Sequence, residues 1–211
     1  MIAAALSIIT IFIVLVVSEM LWQTKRLKGE LGRKFVHITV GSFVAFWPFY
    51  MSFHYVRLIS LAFLLVVLAS RRFNIFKSVH TIDRKSWGDV LFACGIGLTA
   101  LMTSSQWIFM AAVLHLSLAD GLAAVVGKRY GKKYEYRVLG QTKSIAGTFA
   151  FWLVSLIILS VVFSHGLTSQ VMALPLLMWL PLVAAAIENM GLFGLDNVFV
   201  PVLIVVALSQ L

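Results

Sequence analysis

The chain has 211 residues, 61% of them hydrophobic and only 12% charged, with a mean hydropathy of +1.00. An ordinary soluble domain holds about 45–50% apolar residues, so these values exclude a water-soluble globule and point to a membrane protein. The net charge of +9 arises from 17 Lys and Arg against 8 Asp and Glu; because the cations lie between apolar runs, they read as topology and headgroup determinants, not as a nucleic-acid surface.

A helix needs about 20 apolar residues to cross the hydrocarbon core. The first such window, Ile2 to Leu21, lacks a basic n-region and a small-residue cleavage site, and is read as a retained span. A basic stretch follows at residues 23–34, with Lys25, Arg26, Lys28, Arg33 and Lys34. Its end, E-L-G-R-K-F-V-H, puts Glu30, Lys34, His37 and Gly41 on one helical face, with Arg33 and His37 one turn apart. A lone histidine in a span is usually a satisfied structural donor. A Lys and a His entering the membrane together point instead to the wall of a site.

Phe35 to Phe53 reads as the second span, and Leu58 to Ala69 as a shorter third. Residues 71–87 carry Arg71, Arg72, Lys77, Arg84 and Lys85, interleaved with Phe73, Ile75, Phe76, Val79 and Ile82, which predicts a short helix in the headgroup plane. Trp87 reads as an interfacial anchor. Asp89 stands at the mouth of the short run Val90 to Met102, where it could join another carboxylate in an anionic cavity. Cys94, in that run, is the only cysteine, so neither an intrachain disulfide nor a cysteine zinc cluster is possible.

Trp107 to Val126 reads as the next span and holds Asp120. An ionised carboxylate in hydrocarbon is expensive and faces a bundle interior or a wet cavity, so Asp120 is a candidate functional residue. Gly121, Ala123, Ala124, Gly127 and Gly131 follow it, and such small residues allow close approach of a backbone or a ligand. Residues 128–144 form the third basic loop, with Lys128, Arg129, Lys132, Lys133, Arg137 and Lys143. There is no Walker motif. Lys143 and Ser144, ahead of Gly147, open the span Ile145 to Phe163, where a helix N-terminus can receive an anion; the plain alternative is a juxtamembrane lysine with a serine N-cap.

Val171 to Ile187 and the shorter Val198 to Leu208 complete a polytopic all-α transmembrane bundle of about eight spans, with seven as the alternative, in one integral membrane domain over 1–211. The three basic loops hold 16 of the 17 cations and alternate with connections that hold only Arg57, so positive-inside parity puts those loops in the cytoplasm and both termini outside. By the same parity the acidic loop 188–197, with Glu188 and Asp196, is also cytoplasmic. A topology signal does not explain carboxylates there, so a cation site is weighed against a solvated loop.

These pieces, in this order, resemble the polyprenol kinase family that includes phytol, dolichol and fungal CTP-dependent diacylglycerol kinases. Glu30 to His37 is similar to its E-x-x-R-K-x-x-H segment, Asp120 to Gly131 to its D-x-x-A-x-x-x-G-x-x-x-G segment, and Lys143 to Thr148 to its K-S-x-x-G-[ST] segment. Glu188, then Asp196 and Asn197 before Pro201, is similar to its E…D-N-x-x-x-P element. One departure is Ala146, where many relatives and the related phosphatidate cytidylyltransferases carry an acidic residue.

The resemblance implies transfer of the γ-phosphoryl group of CTP to a membrane isoprenoid or lipid alcohol at the cytoplasmic face. It implies Mg²⁺ on Asp120 and Asp196, with Glu188 and Asn197 as further ligands or supports, and Lys143, Ser144 and Lys128, beside Gly127, Gly131 and Gly147, around the nucleotide. His37, oriented by Glu30 or Lys34, or else Asp89, would stand nearest the lipid hydroxyl, with Arg33 in the same wall. A cytidylyltransferase making a CDP-lipid is the nearest alternative, and a non-enzymatic transporter the more distant one. The partners expected are CTP and a membrane lipid.

Overall fold

The computed structural model describes residues 2–25, 30–73, 87–166 and 170–211, without the side chains of residues 30 and 170–173. The interfacial helix expected within 71–86, together with Arg26, Lys28, Lys77, Arg84 and Lys85, falls largely outside these described residues.

The described residues form eight continuous helices and one two-stranded hairpin, a helical membrane bundle. α1 covers Ile2–Gln23, α2 Glu30–Ala45, α3 Phe53–Phe73 and α4 Gly88–Met102. One long helix then runs as α5 (Gln106–Leu114), a π-helical turn (His115–Ala119) and α6 (Asp120–Tyr130). β1 (Glu135–Val138) and β2 (Gln141–Ser144) lead into α7 (Ile145–His165), followed by α8 (Gln170–Met190) and α9 (Asp196–Leu208). Four helices are long and apolar enough to cross a membrane by themselves: α1, α3, the α5–α6 helix and α7.

Two expected spans shift. The window Phe35 to Phe53 is broken after Ala45, because Pro48 has no N–H to give a helix and sits in a 3-10 turn, Trp47–Phe49. α2 instead begins at Glu30, extending through Arg33 and Lys34, whose side chains are buried in the bundle. The run Leu58 to Ala69, expected to be short, lies inside a 21-residue helix with polar residues at both ends. Arg57 and Arg71 find partners there, so the helix need not stop where the apolar run does.

The α5–α6 helix is the centre of the bundle. Of its most apolar window 78% is buried, against 28% for α1, which packs at the periphery against α2 and α3. A segment buried on every side needs no amphipathic stripe, and Ile108 to Leu114 are apolar and buried throughout. In the π turn, His115 Nδ1 lies 2.7 Å from the Ala111 carbonyl and Nε2 2.7 Å from Ser155 Oγ on α7. A carbonyl can only accept, so Nδ1 carries the proton and the serine hydroxyl donates to Nε2. Ser117 of the same turn is the residue a side chain at Gly41 of α2 would strike. The turn is thus where α2 and α7 both dock on the central helix, immediately before Asp120.

The helix ends gather at two poles. At one, Arg57 Nε donates to the Ala100 carbonyl at 2.8 Å and Nη2 to Ser104 Oγ at 3.1 Å, and Gln106 donates to the Pro48 carbonyl at 2.7 Å. Trp107 meets Phe49 edge-on and stacks with His165. The other pole gathers the starts of α2, α4, α7 and α9 with the ends of α6 and α8.

Among the described residues, the polar stretch after α6 holds the strands. Glu135↔Ser144 to Val138↔Gln141 pair antiparallel around a two-residue turn. Leu139 and Gly140 both have positive φ, 49° and 79°, as a tight primed hairpin turn demands. The hairpin returns the chain so that Ser144 caps α7, accepting the Gly147 N–H at 3.1 Å.

Candidate active site

A cavity of about 450 Å³ opens at the second pole. α6 contributes Asp120, Ala123, Ala124, Gly127 and Lys128, a spacing of three and four residues that puts them on one face. α2 brings Arg33 and Lys34, the hairpin Lys143 and Ser144, and the end of α8 Glu188 and Asn189. The start of α9 brings Asp196 and Asn197.

Asp120, Glu188 and Asp196 each offer a carboxylate oxygen, and the three lie within 4.8 Å of one another. Three anions this close repel unless cations compensate them. Two lysines do so: Lys34 pairs with Asp120 in a fully buried ion pair, and Lys143 Nζ pairs with Glu188 Oε1 at 2.5 Å while also donating to the Glu188 carbonyl at 3.0 Å. Asn197 donates through Nδ2 to the Gly88 carbonyl at 3.1 Å, and its buried Oδ1 has no partner among the described residues. Three clustered carboxylates are the hard oxygen donors that a small divalent cation prefers, so the residues fit such an ion.

The loop between α8 and α9 is held by backbone constraints. Gly194 has φ +95°, and a Cβ there would lie 2.6 Å from Gly88 Cα, so only glycine suits both the conformation and the contact. Trp87 N–H donates to the Phe193 carbonyl at 3.2 Å. Asp196 is therefore aimed by a turn clamped to the start of α4. On the hairpin side, Tyr136 and Thr148 hydroxyls both reach Asn189 Oδ1, at 3.0 and 3.1 Å, and Gln141 donates to the Gly191 carbonyl at 2.8 Å.

Most residues singled out from the sequence meet here: Asp120, Lys128, Lys143, Ser144, Glu188, Asp196 and Asn197, with Gly127 and Gly147 at the wall. Arg33 and Lys34, expected in a lipid-facing wall, line this same cavity, and Lys34 pairs with Asp120 instead of orienting His37. Three expected residues stand off it. Asp89 pairs with Arg71 at 2.8 Å, and Arg71 stacks on the face of Trp87. Gly131 packs against Ser144 at the helix end. His37 lies one turn below Lys34, stacked on Phe92 at 4.0 Å, and neither ring nitrogen has a partner among the described residues. Glu30 opens α2, and its side chain is outside the described set.

Gly127 and Gly147 face each other where α6 crosses α7. A Cβ on Gly147 would come within 2.9 Å of the Ala123 carbonyl, so these glycines serve helix packing. Sequence reasoning missed the ring of neutral polar groups, Gln141, Thr142, Thr148 and Asn189. The alternating Tyr136, Val138 and Thr142 around Leu139-Gly140 carry a hairpin signal that would have placed them.

The chain is 31% identical over 194 residues to the phytol kinase of Synechocystis sp., covering 89% of this chain and 82% of that protein. No protein-family model matches the chain, and no solved structure does.

Proposed function

We propose that this chain, which belongs to the polyprenol kinase family of membrane phosphotransferases, transfers the γ-phosphoryl group of CTP to the primary hydroxyl of an isoprenoid alcohol such as phytol, geranylgeraniol or a longer prenol. The observation that carries the reading is the three-carboxylate cluster within 4.8 Å in a cavity also lined by Arg33, Lys34, Lys128 and Lys143. A carboxylate cluster alone would suit a cation, and cations alone would suit a phosphate. Together they suit a metal-bound triphosphate.

Asp120, Glu188 and Asp196, with Asn197 Oδ1, would hold Mg²⁺, which supplies charge neutralisation and orientation of the β- and γ-phosphates when bound. Lys143 and Lys128 grip phosphate oxygens as compact point charges on flexible stems. The start of α7 adds a positive dipole end beside Lys143, although the Ile145 and Gly147 N–H groups there are spent on the Tyr134 carbonyl and on Ser144 Oγ. Phosphoryl transfer depends on positioning and electrostatics, which this arrangement provides without a covalent intermediate.

We assign the acceptor side to His37. His37 is buried on Phe92 and off the cavity, so it would meet the lipid hydroxyl only if the alcohol enters between α2 and α4, whereas Asp89 is engaged by Arg71. Its depth below Lys34 suits an alcohol that approaches from the bilayer. The basic loops, and with them the cavity, are assigned to the cytoplasmic face. The test is a screen of lipid alcohols with CTP labelled at either end. Label from the γ-phosphate in the lipid supports the kinase with CTP as donor. Cytidine label in the lipid would mean a cytidylyltransferase, and transfer from ATP alone would overturn the nucleotide assignment.

A further inference from the structure

Two of the three clustered carboxylates are already occupied, each by a lysine: Asp120 by Lys34 and Glu188 by Lys143. Both pairs are drawn from separate elements and lie on the cavity, with side-chain exposures of 5% and 8% in the first and 18% and 9% in the second. We infer that these two ammonium groups are stand-ins for the divalent cation: they hold the carboxylates in the ligand-free protein, yield them when the cation arrives, and are then free for the phosphate oxygens.

The inference rests on the cavity being a cation–triphosphate site, and goes beyond it to how the site fills. A carboxylate pair this buried would be severely penalised without a counter-charge, so something must neutralise it between turnovers. Lysine suits that duty because its head is a single charge on a four-carbon stem that can swing between partners; an arginine fork would lock bidentate onto the carboxylate. Lys143 keeps a second hold on the Glu188 carbonyl at 3.0 Å, so it has an anchor beside the carboxylate it would give up. Asn197, a residue of the cavity lining, has a buried Oδ1 that neither lysine uses and that has no partner among the described residues.

The consequence is a thermodynamic coupling. Alone, the cation must displace two ammonium groups that gain no new partner, and alone, the triphosphate meets lysines already committed to carboxylates. Together each supplies what the other displaces, so each tightens the binding of the other by the same factor.

The experiment is an electron paramagnetic resonance titration of Mn²⁺ into the full-length protein in nanodiscs, with and without a non-hydrolysable CTP analogue. Lys143→Met and Lys34→Met should each bind Mn²⁺ roughly tenfold or more tightly than wild type without nucleotide, because a positive charge in direct contact with a ligand carboxylate is gone. In both, the analogue should raise Mn²⁺ affinity less than it does in wild type. Lys143→Arg should stay at or below wild-type affinity. Lys128→Met removes a cavity charge that is in no described ion pair of the cluster, and measures the long-range field alone. Equal tightening by Lys128→Met, or no tightening by either stand-in variant, overturns the inference. If Asp120→Asn still abolishes Mn²⁺ binding in that case, the cavity reading stands without it; Mn²⁺ binding indifferent to Asp120→Asn overturns both. Should Lys34→Met fail to fold, Lys143→Met at the more open position carries the comparison.

Discussion

The two poles of the bundle use polar groups in opposite ways. At the Arg57 pole, one guanidinium and one glutamine amide donate to backbone carbonyls that the helix ends leave open, and Trp107 fills the space between Phe49 and His165. Every one of those donors is spent on the fold. At the other pole, four lining cations face a carboxylate cluster, and Asn197 Oδ1 remains open among the described residues. Under the proposed function the chemistry belongs to the pole whose polar groups answer one another across a cavity, not to the pole where they close helix ends.

The sharpest way to break that contrast is Asp120→Asn, which keeps the shape and an acceptor for Lys34 but removes the charge. Phosphoryl transfer should fall by on the order of 10³-fold, with membrane insertion and monodispersity unchanged by size-exclusion chromatography. Full turnover in this variant would make the cluster ornamental.

Gly194→Ala tests whether the site pole has structural demands of its own. Positive φ and the approach to Gly88 Cα should lower stability by about 1–3 kcal/mol, and misaimed Asp196 should lower turnover in parallel; a melting curve and an assay on the same preparation would separate the two. An unchanged turnover would mean that the loop does not aim Asp196.

The smallest effect belongs to the opposite pole. Arg57→Met should reduce stability by about 1 kcal/mol, the net value of a part-buried bond to a carbonyl, while turnover per folded molecule stays at the wild-type value. A loss of activity larger than the loss of folded protein would show that the poles are not separate in function.

Much of this contrast is legible in the chain because hydrocarbon enforces it. Cations avoid the bilayer core, so Lys34, Lys128 and Lys143 mark one pole, and a carboxylate is tolerated inside only where it is answered, so Asp120 stands out. What stayed hidden is pairing and local geometry. That Asp89 goes to Arg71 and Asp120 to Lys34 is decided by which helices become neighbours, and local spacing holds no record of that choice. Apolar windows also misplace helix ends, as at Pro48 and across Phe53–Phe73, since a polar residue with a partner extends a helix as readily as an apolar one. H-L-S-L-A reads as part of one continuous span, with no sign of the π turn there.

That π turn is also a phase shifter. Each residue advances a helix by about 100°, so the wider turn at His115–Ala119 uncouples the facing of Asp120, Ala123 and Gly127 from the facing of everything before it. Upstream, where Ile108 to Leu114 are buried on all sides, no facing is preferred and the offset is harmless. Downstream it decides which residues look into the cavity. A single-residue deletion in this turn would be felt less as a lost contact than as a rotated active face.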